Sequence, residues 1–170
     1  VVPDVLRQVT NEHGGQITIS YQASPKYATG TTMLNQRLPF VYQAVSAIGV
    51  DSGVGLGGHR VVATTTFEYQ NGIYYGANIF DRKFSGFGII KKTNDKGEVV
   101  KTYFHQGDAS TTQTYLGEYN DHIAKAGRIY RTEILSPSIN GLNPVQTSIV
   151  KWGRADYGDG RNFVKPIQLI

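Results

Sequence analysis

Phe84-Ser-Gly-Phe-Gly-Ile-Ile-Lys-Lys-Thr-Asn-Asp-Lys-Gly-Glu-Val-Val-Lys-Thr-Tyr-Phe-His105 decides the fold. Two arms rich in β-formers flank a polar turn at 93–97, where Asn94, Asp95 and Gly97 tolerate turn and left-handed geometry. The stretch therefore predicts an antiparallel hairpin. In its first arm Phe84, Gly86 and Gly88 share one parity and Phe87 the other. Glycine inside a strand weakens it unless a bulge or a close backbone approach requires it, and the reading here is close approach at Gly86 beneath the rest of the sheet. In the second arm Val99, Lys101, Tyr103 and His105 share one face, and Val100, Thr102 and Phe104 the other.

Outward from this hairpin the same plan repeats. Residues 5–9 and 16–21 read as a hairpin, with Ile17, Ile19 and Tyr21 on one face and Thr18 and Ser20 on the other. Residues 23–36 are polar and read as a loop. Residues 41–50 are apolar enough for a strand covered on both faces, with a short helix as the competing reading. Residues 61–69 form a Thr-rich strand, and Gln70-Asn71-Gly72 reads as the turn of a further hairpin. Beyond His105, residues 106–117 are polar and 118–126 could hold one or two helical turns. Strands are expected at 128–135, 146–152 and 163–170, separated by turns at 136–144 and 153–162. The prediction is an all-β chain of antiparallel hairpins and meanders in one curved sheet, with at most one short helix near 118–126. It is read as a single module over 1–170, a segment of a larger protein, with a possible sub-boundary near 106–127.

Composition agrees with this class. Tyrosine supplies 11 aromatic residues and glycine 20 positions, which favours short strands and turns over helices. With no cysteine, disulfides and thiolate metal sites are excluded. The +4 net charge lies entirely in the second half, but its basic residues are scattered, so no nucleic-acid partner is expected. No apolar run approaches the ~20 residues of a membrane-spanning helix.

Candidate chemistry is sparse. Gly53-Val-Gly-Leu-Gly-Gly58 matches G-x-G-x-x-G, but a strand rather than a helix follows it, so it reads as a hairpin loop and not a dinucleotide site. His13, His59, His105 and His122 lack zinc-site spacing, and His105 reads as a residue that fixes the turn after its strand. There is no G-x-S-x-G elbow. Asp156 and Asp159 lie in a glycine loop; turn chemistry is the favoured reading, and calcium at this pair stays open. Trp152 reads as a core anchor before a glycan platform.

The motifs taken together resemble a known family. Leu6-Arg-Gln-Val-Thr-Asn11 followed by 15–21, Leu38-Pro-Phe40 with Val45, Phe84-Ser-Gly-Phe-Gly88, Tyr103-Phe-His-Gln-Gly107, Gly127-Arg-Ile-Tyr-Arg-Thr-Glu133, and Lys151-Trp152 with 158–163 occur in the order seen in the middle region of bacterial insecticidal toxin complex B components. Related plasmid-virulence and Rhs-type proteins share the region. Ser85 stands where the family often has Arg, and Ile129 where it usually has Pro. The resemblance implies a non-catalytic, exported module of a β-rich shell that encloses a toxin payload, with no cofactor. Its motif residues here are Phe84, Gly86, Phe87, Gly88, Tyr103, His105, Arg128, Tyr130, Arg131 and Trp152, expected to be structural. Expected partners are the rest of a longer polypeptide, neighbouring copies joined by strand pairing through Ile167, Leu169 and Ile170, or other toxin-complex subunits. The expected location is secreted or at the bacterial cell surface. Alternatives are a subunit of an extracellular adhesive polymer and, more weakly, a glycan-binding module.

Overall fold

The computed structural model describes residues 4–53, 62–75, 80, 82–138 and 141–170. Nine strands form one open antiparallel sheet in the order β1 (Gln8–Thr10), β2 (Gln16–Ala23), β5 (Gln43–Asp51), β6 (Val62–Tyr75), β7 (Lys83–Thr93), β8 (Val99–Phe104), β9 (Ile129–Ser138), β10 (Gly141–Asp156) and β11 (Asn162–Leu169). Strand order follows chain order, which makes the sheet a meander. A small hairpin, β3 (Ala28–Thr29) and β4 (Thr32–Met33), is inserted between β2 and β5 as a separate pair. Among the described residues no helix is long and apolar enough to cross a membrane.

The β7–β8 hairpin forms as its turn residues require. Thr93 pairs with Val99. Asn94 Oδ1 accepts from the Lys96 and Glu98 amides at 3.0 and 2.9 Å, and Gly97 takes φ +79°. Residues 41–50 resolve in favour of the strand, as β5. The strand after the glycine motif is β6; residues 54–61 of that motif and its flank, with His59, lie outside the described residues.

Several expectations are overturned. Gln70-Asn71-Gly72 is not a turn, because β6 runs through it to Tyr75. Asn71 takes φ +56° within the strand, and the backbone groups around it find remote partners: Asn71 N–H donates to Leu34 O (2.9 Å) and Gly72 N–H to Asn35 Oδ1 (2.9 Å). Close approach at Gly86 is also wrong. A Cβ there would meet nothing within 4 Å, and its φ of +81° marks a bulge instead. Tyr74 pairs with Phe84 and Gly72 with Phe87, so Ser85 and Gly86 together oppose Ile73. That extra residue resets the parity, and Phe84 and Phe87 meet edge-to-face at 5.4 Å rather than pointing apart. The close approach belongs to Gly88, whose Cβ would sit 2.6 Å from Gln106 Oε1.

Elsewhere residues 23–36 hold a 3-10 turn (Ser24–Lys26) and the β3–β4 hairpin instead of plain loop. The region 118–126 forms only a single 3-10 turn, Ile123–Lys125. β9 and β10 extend into the expected turn region 136–144, to Ser138 and from Gly141; residues 139–140 lie outside the described residues.

An aromatic cluster, partly exposed at Phe40 and Tyr42, gathers around the bulges. Phe40 packs on Tyr74 and Phe84 at 5.5 and 5.8 Å, Tyr42 on Phe84 and Phe87 at 5.1 and 5.9 Å, and Tyr69 on Phe87 and Tyr27 at 4.9 and 5.6 Å. Each such pair adds about 0.5–1.5 kcal/mol beyond its area burial. Gly72 leaves the room that Leu38 and Phe87 occupy. A second buried group, Val99, Tyr103, Tyr130 and Leu135, lies on β8 and β9.

Candidate functional site

Between β8 and β9 the chain leaves the sheet as residues 106–127, with short 3-10 turns at Ala109–Thr111, Thr114–Leu116 and Ile123–Lys125. Local propensity does not hold such a segment in place. Buried charged side chains do, among them His105, Glu118, Asp121 and Lys125, which are 0%, 7%, 2% and 1% exposed.

Asp121 is the hub. Its carboxylate accepts from the backbone amides of Gln106 (3.2 Å), Gly107 (2.9 and 3.0 Å) and Asp108 (3.0 Å), a concavity of successive N–H groups suited to an anion. His105 Nδ1 lies 3.1 Å from Asp121 Oδ1 and 3.5 Å from Glu118 Oε1. Glu118 Oε2 accepts from Gln113 N–H at 2.6 Å. Lys125 Nζ donates to the Tyr119 and Asn120 carbonyls, both at 2.7 Å. At the base of the segment His105 N–H donates to Arg128 O and Gly127 N–H to His105 O, clipping entry to exit.

Protonation follows from this packing. Burial pushes His105 down, but hydrogen bonds to Asp121 and Glu118 and their charges outweigh it and raise the imidazole above its ordinary range. Burial pushes Asp121 up, while the His105 bond, the Asp108 and Gly107 amides and the His105 charge hold it below the usual carboxylate range. Burial holds Lys125 below an ordinary lysine, with Asp121 opposing. With all four groups ionised the unit is neutral.

Gln106 connects this unit to the bulges. Its Nε2 donates to Asn71 O (2.7 Å) and Gly86 O (3.1 Å), and its carbonyl accepts from Tyr75 OH and Ser85 Oγ. Asn35 does the same for the inserted hairpin, donating to Ser24 O and Tyr69 O and accepting from Gly72 N–H. Arg37 pairs with Asp108 at 2.9 Å across the two insertions.

The expected motif residues thus converge. Tyr103 OH donates to Glu133 Oε2 at 2.7 Å, and Arg131 bonds both Glu133 and the Leu116 carbonyl, tying β9 to the segment. Tyr130 packs on His105 at 5.1 Å. Arg128 lies 4.9 Å over Trp152, whose Nε1–H donates to Ile129 O. Ile167, Leu169 and Ile170 contribute no side chain to this charged unit; they are 54%, 75% and 58% exposed. The Ile170 backbone exchanges two hydrogen bonds with Ile149, and Ile167 lies over Gly153. Asp156 and Asp159 are committed to Arg154 and Arg161 and to nearby amides, which favours the turn reading over calcium. Asn35, Gln106, Glu118, Asp121 and Lys125 were missed. Only Gln106 had a signal, as a member of the Tyr103–Gly107 pentad.

His105, Glu118 and Asp121 place ligand atoms within 4.8 Å of one another, close enough to surround a cation. The geometry favours an ion-pair unit instead. Nδ1 is spent on the carboxylates, three backbone amides occupy Asp121, and Lys125 already supplies the second positive charge. What the arrangement does chemically is hold 106–127 against the sheet.

No curated protein and no solved structure matches the chain. One family model does, that of the insecticide toxin TcdB middle/N-terminal region, over residues 2–120. That span contains the opening motif, the β7 bulge and the Tyr103–Gly107 pentad; the motifs after 126 lie beyond it. The chain belongs to the insecticide toxin TcdB middle/N-terminal region family.

Proposed function

We propose that the chain is a non-catalytic scaffolding module of an exported toxin-complex protein of Rhs type, contributing sheet to a shell around a toxin payload. The observation that carries this reading is where the motif side chains go. Tyr103, His105 and Gln106 are 6%, 0% and 8% exposed, and Tyr103 OH, His105 Nδ1 and Gln106 Nε2 serve internal bonds to Glu133, Asp121, Asn71 and Gly86. Groups so committed position backbone rather than meet substrate. The open meander supports it further, since such a sheet extends by adding strands at its edges. Association with other toxin subunits and release from the cell are part of the proposal.

The test uses the full-length toxin-complex protein carrying Asp121→Asn or Gly88→Val. Protease protection of the payload should fall while any intrinsic hydrolase activity stays unchanged. Full protection in a variant whose module is unfolded by circular dichroism would overturn the scaffolding role. Loss of a measurable turnover in a folded His105→Gln variant would overturn the non-catalytic one. A second reading, strand pairing between copies, is favoured by the exposure of Leu169 on β11.

A further inference from the structure

We propose that His105 is a pH-sensitive latch: residues 106–127 stay docked on the sheet while its imidazole is protonated and loosen when the proton leaves.

The geometry that supports this is one-sided. Nδ1 faces Asp121 and Glu118 together, at 3.1 and 3.5 Å, whereas Nε2 is buried with no hydrogen-bond partner among the described residues. The carboxylates favour the imidazolium; burial and the unpartnered Nε2–H oppose it. The balance leaves the proton exchangeable rather than locked. Loss of it turns a neutral buried unit into one of net charge −1. The proton that leaves is the unpartnered Nε2–H; Nδ1–H still donates to Asp121, but the positive charge that offset two carboxylates is gone, so Asp121 and Glu118 repel each other uncompensated. Both lie on the segment, and the strand that ends beside His105 is β8; the charge pair joins sheet to segment there, alongside the Arg131 bond to the Leu116 carbonyl.

The charged and titratable groups around the ring come from several elements. On the segment are Asp121, Glu118, Lys125, Asp108 and His122, whose Nδ1 accepts from Ala124 N–H. From β9, Tyr130 faces the ring, and burial keeps its hydroxyl protonated well above the ordinary tyrosine range. From β6, burial pushes Tyr75 up to about 12, with Asp108 and Asp121 adding to it and Arg37 opposing. From β10, Arg154 acts on Lys125. Lys125 is the competitor, because burial brings its own deprotonation downward.

The chain contains its own reporter. Trp152 is the sole tryptophan and stacks under Arg128, directly beyond the segment's exit. The experiment follows Trp152 emission and proteolysis within 106–127 from about pH 6 to about pH 10, above the ordinary histidine value. The parent should show one transition, with cleavage rising about tenfold across it. His105→Gln should lack the transition, and Lys125→Met and His122→Asn should keep it. Should His105→Gln fail to fold, the imidazole C–H resonances of the parent supply the readout. They should titrate with the same midpoint as the Gly107 and Asp108 amides. A flat parent profile, a transition retained in His105→Gln, one lost in Lys125→Met, or amides that ignore the His105 titration would each overturn the latch.

Discussion

At the scale of single residues, the two β7 glycines do different work and mutate differently. Gly86 needs its φ of +81° but has open space around it, so Gly86→Ala costs the left-handed penalty alone, about 1–2 kcal/mol. Gly88 lies against Gln106, an 8% exposed side chain whose amide is pinned by Asn71 O and Gly86 O. A methyl at 88 must displace it and break its hydrogen bonds to two part-buried carbonyls, about 2–3 kcal/mol. Urea midpoints should therefore rank parent, Gly86→Ala, Gly88→Ala in falling order. Equal loss at both positions, or greater loss at 86, would show that Gln106 is not held. Asp121 is the costlier position. Asp121→Asn keeps the shape but replaces an acceptor for three amides with a group that also donates, and it leaves His105 without its closest charge; about 3–5 kcal/mol should be lost.

At the scale of elements, pH separates the two ends of this ion-pair unit. The folded Asp121 value is depressed below 3.8, so its contribution is present above that value and lost as pH falls through the lower, folded one. The folded His105 value is raised above 6.5, so its contribution is complete below 6.5 and lost as pH rises through the higher, folded one. Stability should plateau between these limits and decline on both sides. Asp121→Asn should flatten the acid limb that Asp121 contributes, read as denaturation midpoints across pH. A parent curve flat on the alkaline side up to about pH 9 would contradict the His105 assignment. These elements also show where sequence reading succeeds. The β7–β8 turn was legible because Asn94 and Gly97 settle it within five residues. Asn71-Gly72 was misread because the groups that convert it from turn to bulge, Leu34, Asn35 and Gln106, lie far away in the chain. The bulge at Gly86 likewise hid the shared face of Phe84 and Phe87, since parity fails across an inserted residue. The charged unit was invisible for a related reason: Glu118, Asp121 and Lys125 sit in a polar stretch whose composition reads as solvated, and only the fold buries them. The pentad ending at Gly107 marked the place without giving the partners.

At the scale of the whole molecule, the open sheet leaves β11 as its last strand among the described residues. Its inner edge is satisfied by β10, from Val150↔Leu169 to Asp156↔Asn162. Its side chains are not equally committed: Ile167, 54% exposed, still rests over Gly153, whereas Leu169 is 75% exposed. An edge of this kind is a template for a further strand, and Lys165 and Pro166 are the features along it that oppose indiscriminate pairing. Strand addition would bury Leu169 and supply main-chain hydrogen bonds, with alternate side chains setting register. Leu169→Lys should weaken that pairing without unfolding the sheet, because Leu169 contributes little internal packing at its exposure. The measurement is sedimentation velocity of the chain alone and of the chain mixed with the remaining toxin-complex polypeptide, alongside thermal melts. The expected result is a smaller associated fraction for Leu169→Lys at an unchanged melting temperature. Association that persists undiminished in Leu169→Lys would move the interface away from β11. A parent that stays monomeric and binds no added polypeptide at about 100 µM, where even contacts of μM affinity would register, would remove strand addition at this edge altogether.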